Sequence, residues 1–456
     1  MNNATILKRS TPKKLALYLG FAGIITSQLV MAEDVPTSAT PSLPDAESWA
    51  IHGQLTNFTQ ANNRFTAPYA GTNSLLAQGR TEETTDISLF LGRRLWRGAE
   101  VWIDPEIDQG FGVSNTLGLA GYSSGEAYKV GANSPYLRLT RAFIRQTIAL
   151  GENDSAIESA PNQLAGAGAS NNITLTAGKF SVTDIFDTNI YAHDPRADFM
   201  NWSIIDSGAF DYAADVWGFT YGAAAEWSQD NWTLRAGYFQ LSPEPNAKII
   251  NVNFSQHSLV MEAELRQQWF NHPGKIKLLA FTNHAKMGSY QDALALAQTT
   301  GGTPDTALVR QAGTDSGFGI NVEQELATDI GAFARISQRG GSKEAYEFSD
   351  INQSLSAGVT MKGQRWGRND DTLGLAGAIN GLSSDARAYF AAGGLGLLIG
   401  DGQLNYAPEK IVEMYYSARI HPHATITADY QYITNPAYNQ ARGPVSLYGV
   451  RLHAEF

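Results

Sequence analysis

Beyond residue 48 the chain repeatedly alternates apolar residues with polar or small ones at a period of two, in about sixteen segments of 9–15 residues. A period of two is the signature of a strand, not of a helix. In Trp217–Trp227 the odd positions are Trp217, Phe219, Tyr221, Ala223, Ala225 and Trp227, and the even ones are Gly218, Thr220, Gly222, Ala224 and Glu226. The same split recurs in Leu259/Met261/Ala263/Leu265 against Val260/Glu262/Glu264/Arg266, and in Ala424/Ile426/Ala428/Tyr430 against Thr425/Thr427/Asp429/Gln431. A soluble sandwich also alternates, but its inner face must fill a core. Here the polar face carries repeated Glu, Arg, Lys and Thr opposite an apolar face rimmed with aromatics, the pattern of a barrel turned inside out. In lipid every backbone group must be satisfied internally and no sheet edge can stay open, so a closed barrel with a polar lumen is the solution available to strands.

The expected fold is therefore an all-β, transmembrane antiparallel β-barrel of about sixteen strands. They are placed at 49–60, 84–96, 98–107, 136–150, 171–180, 213–228, 231–242, 256–269, 274–287, 316–327, 330–338, 352–362, 371–381, 409–420, 423–433 and 445–456. Connection lengths check this independently, because outer-membrane barrels alternate short periplasmic turns with long extracellular loops. With a periplasmic N-terminus, Arg97, 229–231, 270–273, 327–329 and His421-Pro422 are the brief turns, and 61–83, 108–135, 181–212, 288–315 and 382–408 are the long loops. The exception is 151–170, a Gly/Ala/Asn-rich stretch on the side of the short turns that this scheme does not explain.

Residues 1–14 carry Lys8, Arg9, Lys13 and Lys14 and no acid; a mostly apolar run follows to residue 31, and Val30-Met31-Ala32 fits a signal-peptidase site. Residues 1–32 read as a Sec signal peptide, 33–48 as a flexible periplasmic lead-in containing Pro36, Pro41 and Pro44, and 49–456 as the barrel. The chain has no Cys, which rules out disulfides and Cys-based zinc sites. With 33 Lys+Arg against 44 Asp+Glu it lacks the basic balance of a nucleic-acid binder. An exported chain of this size without Cys suits the envelope of a Gram-negative bacterium, and the outer membrane is its expected location. The last strand ends Tyr448, Val450, Leu452, Ala454, Phe456 on one parity, which looks like a signal for the barrel-assembly machinery.

Sixteen strands leave an aqueous channel where eight would not. The connection 181–212, rich in apolar and aromatic residues, is expected to fold into the barrel as a constriction, bringing Asp184, Asp187, His193, Arg196 and Trp202. By parity Arg94, Glu100, Trp102, Asp104 and Glu106 face the lumen. Arg141 and Arg145 join them if the fourth strand is bulged, since Leu137 and Leu139 share their parity. Facing acids and guanidinium groups supply the donors and acceptors that replace water around a hydroxyl-rich solute. Three apparent motifs carry no expected chemistry. Gly121-Tyr122-Ser123-Ser124-Gly125 fits G-x-S-x-G outside any strand-turn-helix setting, Gly394-x-Gly396 lacks a βαβ unit, and His421 and His423 flank a turn proline.

Several blocks resemble the carbohydrate-selective outer-membrane porins of the OprB family: Leu91–Pro105 (LGRRLWRGAEVWIDP), Gln109–Val130 (QGFGVSNTLGLAGYSSGEAYKV), Gly178–Trp202 (GKFSVTDIFDTNIYAHDPRADFMNW), Phe210–Asp215, Pro273–Tyr290 and Gly400–Glu409. The resemblance implies a sixteen-stranded porin for passive diffusion of monosaccharides such as glucose. It also implies an eyelet lined by arginine and acid, similar to what Arg94, Glu106 and Trp202 could form here. The expected partners are small sugars, outer-membrane lipid and lipopolysaccharide, with the protein a monomer or homotrimer; no reaction, metal or cofactor is expected. The competing readings are a non-selective or anion-preferring porin, a barrel hydrolase and an adhesive barrel.

Overall fold

The computed structural model describes residues 46–126, 131–152, 155–348 and 350–456. The expected signal peptide and most of the expected lead-in lie outside them, as does the end of the Gln109–Val130 block. The strands are β1 (Trp49–Asn62), β2 (Arg80–Trp96), β3 (Ala99–Gly110), β4 (Ala132–Ala149), β5 (Ser155–Ile157), β6 (Gly166–Gly168), β7 (Asn172–Phe180), β8 (Thr220–Gln229), β9 (Trp232–Gln240), β10 (His257–Trp269), β11 (His272–Met287), β12 (Gln311–Ala327), β13 (Ile330–Arg339), β14 (Gln353–Gly363), β15 (Arg368–Gly381), β16 (Glu409–His421), β17 (Ala424–Thr434) and β18 (Val445–Glu455). Among the described residues three α-helices lie between strands: α1 (Trp202–Ile205), α2 (Tyr290–Thr300) and α3 (Ser384–Ala391).

Sixteen of these strands close an antiparallel barrel in which each pairs with its neighbours in sequence and β1 meets β18; β5 and β6 form a separate two-stranded hairpin. Closure runs from Gln54↔Glu455 to Asn62↔Leu447 and is extended by the reciprocal bonds Gly53 N–H to Phe456 O (3.1 Å) and Phe456 N–H to Gly53 O (3.0 Å). The C-terminal Phe therefore belongs to the seam.

The alternation maps onto the wall. Val359, Leu375 and Met414 sit side by side on β14, β15 and β16 and are 43%, 48% and 48% exposed on the outer face. Inward positions on the same strands, such as Ser354, Glu409 and Glu413, are buried. Outward Trp49, Trp96, Trp227, Trp269 and Trp366 cluster at the end with short turns, and outward Tyr221, Tyr238, Tyr432 and Tyr448 at the other. These are the two aromatic girdles that bracket an apolar band.

Two local features decide what faces the lumen. The register between β3 and β4 shifts after Asp104↔Arg141 to Pro105↔Leu139, so Thr140 is the bulged residue, and its hydroxyl donates to Asp104 O (2.8 Å). The bulge lets Leu137 and Leu139 face out while Arg141 and Arg145 face in. The strand expected at 213–228 begins only at Thr220. Its alternation starts earlier, but Asp215 Oδ1 accepts the N–H groups of Trp217 (2.9 Å) and Phe219 (3.2 Å), and this local turn keeps residues 213–219 inside the barrel.

Candidate functional site: an arginine-lined cavity in the lumen

The connection from Ser181 to Phe219 does not lie in water. Phe199, Met200, Ile204 and Ala213 are fully buried, and the backbone is held by inward side chains all around the wall. Glu262 on β10 accepts Asp187 N–H (2.8 Å), and Glu323 on β12 accepts Ile190 N–H (3.0 Å). Glu413 on β16 accepts the N–H groups of Met200 (2.6 Å) and Asn201 (3.0 Å). Arg335 on β13 donates to Ile204 O (2.8 Å) and Ala192 O (2.7 Å), and Arg451 on β18 to the carbonyls of Pro195 (2.5 Å) and Asp198 (3.0 Å). A chain threaded through a lumen has no sheet partner, and the polar face of the wall supplies its missing hydrogen bonds. Glu409 does the same for the 111–131 connection, accepting Ala120 N–H (3.1 Å) and Gly121 N–H (2.7 Å).

Between these insertions and β2–β4 lies a cavity of about 1140 Å³. Of the residues expected at the site, Arg94, Arg141, Arg145, Asp184, His193, Arg196 and Trp202 line it; Trp102, Asp104, Glu106 and Asp187 do not. Trp102 is fully buried with its ring packed on Gly92, where a Cβ would come within 2.4 Å of it, so its faces are spent on packing. Asp104 sits behind Arg141, 3.9 Å from the guanidinium. Glu106 is covered by Ser88 (2.5 Å), Arg138 and Arg196 (3.4 Å). Asp187, at φ 57°, is a fastener inside the loop: it accepts Ser207 N–H (2.6 Å) and Asn321 Nδ2–H (2.8 Å).

The lining residues form two contact clusters. In one, Arg141 forks onto Asp184 through Nε (2.8 Å) and Nη2 (2.6 Å), and its plane lies 5.0 Å from the Phe219 ring. Arg138 bridges Glu106 and Asp108 and lies over both Phe219 (5.2 Å) and Trp217 (5.6 Å). Arg196 is within 3.6 Å of Asp86, 3.4 Å of Glu106 and 3.3 Å of Glu126. In the other, Trp202 stacks against Tyr122 (5.1 Å between centroids) and Phe348 (5.1 Å), with Tyr212 at 5.9 Å. Trp202 thus contributes to an aromatic block and is not a lone exposed ring. The sequence names neither Arg138 nor Tyr212; it carries Tyr122 only within the G-x-S-x-G string, and it puts Trp217 and Phe219 on the apolar face of a strand, whereas they line the cavity. The turn at Asp215 hides the inward facing of Trp217 and Phe219, and no local signal brings Tyr122 to residue 202.

Arg94 lies toward the short-turn end. Its Nε donates to Glu47 O (2.8 Å) and its Nη2 to Ala165 O (3.0 Å), so it ties two chain segments together. His193 lies 3.3 Å from Asp206 within the inserted loop. Ser123 of the G-x-S-x-G string gives its hydroxyl to Gln60 Oε1 (2.5 Å), and the ring of His421 accepts His423 N–H (3.2 Å) across the turn. Among the described residues no group of three or more His, Asp or Glu is placed to hold a metal.

Burial would raise the Asp184 carboxyl, but the Arg141 guanidinium and Ser181 N–H outweigh it and hold Asp184 below the usual carboxylate range. A lowered carboxylate stabilises the seated loop at all pH values above the ordinary Asp range, and that contribution is lost only as pH falls through the lowered value. The contribution of this one pair is therefore expected to persist from neutral pH down to about pH 4, the ordinary Asp range. Single-channel recording of the wild type beside Asp184→Asn at stepped pH checks this, and a difference between the two that vanished near pH 5 would contradict it.

A family model described as "Carbohydrate-selective porin, OprB family" matches residues 72–456. The search of curated proteins finds no match. Among solved structures, the high-pH form of Pseudomonas putida OprB superposes with a TM-score of 0.69 at 15% identity, covering 90% of this chain and 94% of that one. The outer-membrane channel DcaP of Acinetobacter baumannii gives 0.49 at 9% identity, covering 90% of this chain and 98% of that one. The first likeness is one of fold. The family match takes in fifteen of the sixteen barrel strands together with both inserted connections, and on it this chain, an outer-membrane β-barrel porin, belongs to the OprB family of carbohydrate-selective porins.

Proposed function

We propose that the protein carries monosaccharides such as glucose down their concentration gradient through this cavity into the periplasm, after export by a Sec signal peptide and assembly guided by its C-terminal Phe456. The observation that supports this reading is that one cavity carries both kinds of surface. A pyranose has a rim of hydroxyls and apolar C–H faces, and arginine–carboxylate pairs and the Tyr122/Trp202/Phe348 block line the same cavity. Its charges are also nearly balanced. Seven arginines (94, 97, 138, 141, 145, 196 and 235) line it with six acids (100, 126, 184, 194, 206 and 226). A strongly one-signed lining selects ions; a balanced one offers donors and acceptors to a neutral solute.

The test is glucose titration of single-channel current in a planar bilayer. Saturable block is expected, weaker for a disaccharide. Arg141→Ala, which removes a donor and the partner of Asp184, is expected to weaken block roughly tenfold, the cost of about one charged hydrogen bond. Ion current indifferent to sugar would reduce the protein to a general porin.

A further inference from the structure

The stretch from Leu150 to Asn171 is surplus to closing the barrel. β4 and β7 pair as far as Ala149↔Asn172, so a tight turn would join them, as it joins the other strand pairs at this end. Instead the chain makes the β5–β6 hairpin, tipped by a bridge between Ala160 and Gln163, and returns toward the lumen. Leu164 is only 3% exposed.

Charged side chains of the wall and of the segment before β1 are spent on holding it. Arg145 Nη1 donates to Asn162 O (2.7 Å) and to Glu100 Oε1 (2.9 Å), and the other oxygen of Glu100 accepts Leu164 N–H (3.2 Å). Glu47 Oε2 accepts Ala165 N–H (2.8 Å) and the Ser159 hydroxyl (2.8 Å), while Glu47 N–H donates to Ala165 O (3.0 Å). Arg94 clasps both partners from β2. Charge-assisted bonds from three lumenal side chains to one turn fix its position, as a solvated linker would not require. The turn also forms a boundary of the cavity, which is lined at this end by Asn162, Leu164 and Gly166–Ala169.

We propose that residues 155–168 are an exit cap, a second constriction in series with the 181–219 connection that sets the upper size of solute leaving the lumen at the short-turn end. Arg94, Glu100 and Arg145, which line the cavity at this end, hold the cap. The identity of the solute rests on the sugar reading above; the existence of the constriction does not.

The full-length chain is refolded and recorded in a KCl-bathed bilayer beside a variant in which a short Gly-Ser linker replaces residues 155–168. The variant is expected to show conductance raised about twofold, as for widening one of two resistances in series, and a disaccharide permeation rate that approaches the monosaccharide rate. Unchanged conductance and an unchanged ratio of the two rates, in a variant that still shifts on heating in SDS gels, would overturn the cap. Should that variant not fold, Asn162→Cys serves, because the chain has no other Cys. A bulky membrane-impermeant thiol reagent is expected to lower its conductance, and complete labelling by mass with no loss of current would overturn the proposal. A wild-type channel that passes ions without sugar preference would count against the sugar reading alone, since both conductance tests still decide the cap.

Discussion

Arg335→Ala is expected to loosen the inserted loop while leaving the barrel closed. The guanidinium is 2% exposed and reaches across the lumen to three points of the 181–219 connection: Ile204 O (2.8 Å), Ala192 O (2.7 Å) and Asp187 O (3.3 Å). Its Nε also lies 3.5 Å from the Asp187 carboxylate, which is itself fully buried. Truncation leaves those carbonyls and that carboxylate without their cationic partner, and breaking a buried pair from one side costs about 3–5 kcal/mol. A shift of about 3 kcal/mol raises the population of an unseated loop roughly a hundredfold. The β13 ladder to β12 and β14 uses backbone groups alone, so the wall should survive. The expected readout is a noisier and larger single-channel current, weaker glucose block and new protease cleavage between residues 187 and 207, with gel heat-modifiability retained. Wild-type current and block would mean that Glu262, Glu323, Glu413 and Arg451 hold the loop without it.

Leu375→Arg tests the inversion of the barrel. Leu375 lies mid-strand in β15 between Val359 and Met414 on the outer face and is 48% exposed. On a protein surrounded by water an arginine at such a position costs little. Facing hydrocarbon near the midplane it costs about 2–4 kcal/mol. Leu308, 69% exposed in the 288–310 connection, is the control, and Leu308→Arg is expected to change stability by no more than about 0.5 kcal/mol. Equilibrium unfolding of both variants from lipid vesicles separates the cases; equal, small effects would sink the membrane reading.

How far the site could be read from sequence differs residue by residue. Arg141 and Arg145 were placed inward because Leu137 and Leu139 share their parity and a bulge had to intervene; Thr140 is that bulge. Parity brought Trp102 and Asp104 inward equally well, yet both are packed behind other side chains, since parity gives a direction and says nothing of what lies in front. Parity turns Arg94 to the lumen too, and only the family resemblance implies a place for it in an eyelet. Its height along the barrel, and the turn that rises to meet it, were needed to see that it clasps Glu47 and Ala165. The stretch 151–170 stood out from the sequence only as a turn too long for its side of the membrane.

Alternation with a period of two is a local property, because successive side chains on a strand must point to opposite faces, so the amino-acid order alone determined the number of barrel strands and most of the residues that face lipid, failing at Trp217 and Phe219, where the Asp215 turn cuts the strand short. What fills the lumen is not local. Glu262, Glu323, Arg335, Glu413 and Arg451 are far apart in sequence and converge on one loop only after β1 has met β18. Hydrogen bonds to a backbone inserted from elsewhere leave no periodic trace in the strands that make them, and for that reason the cavity and its two boundaries belong to the tertiary structure.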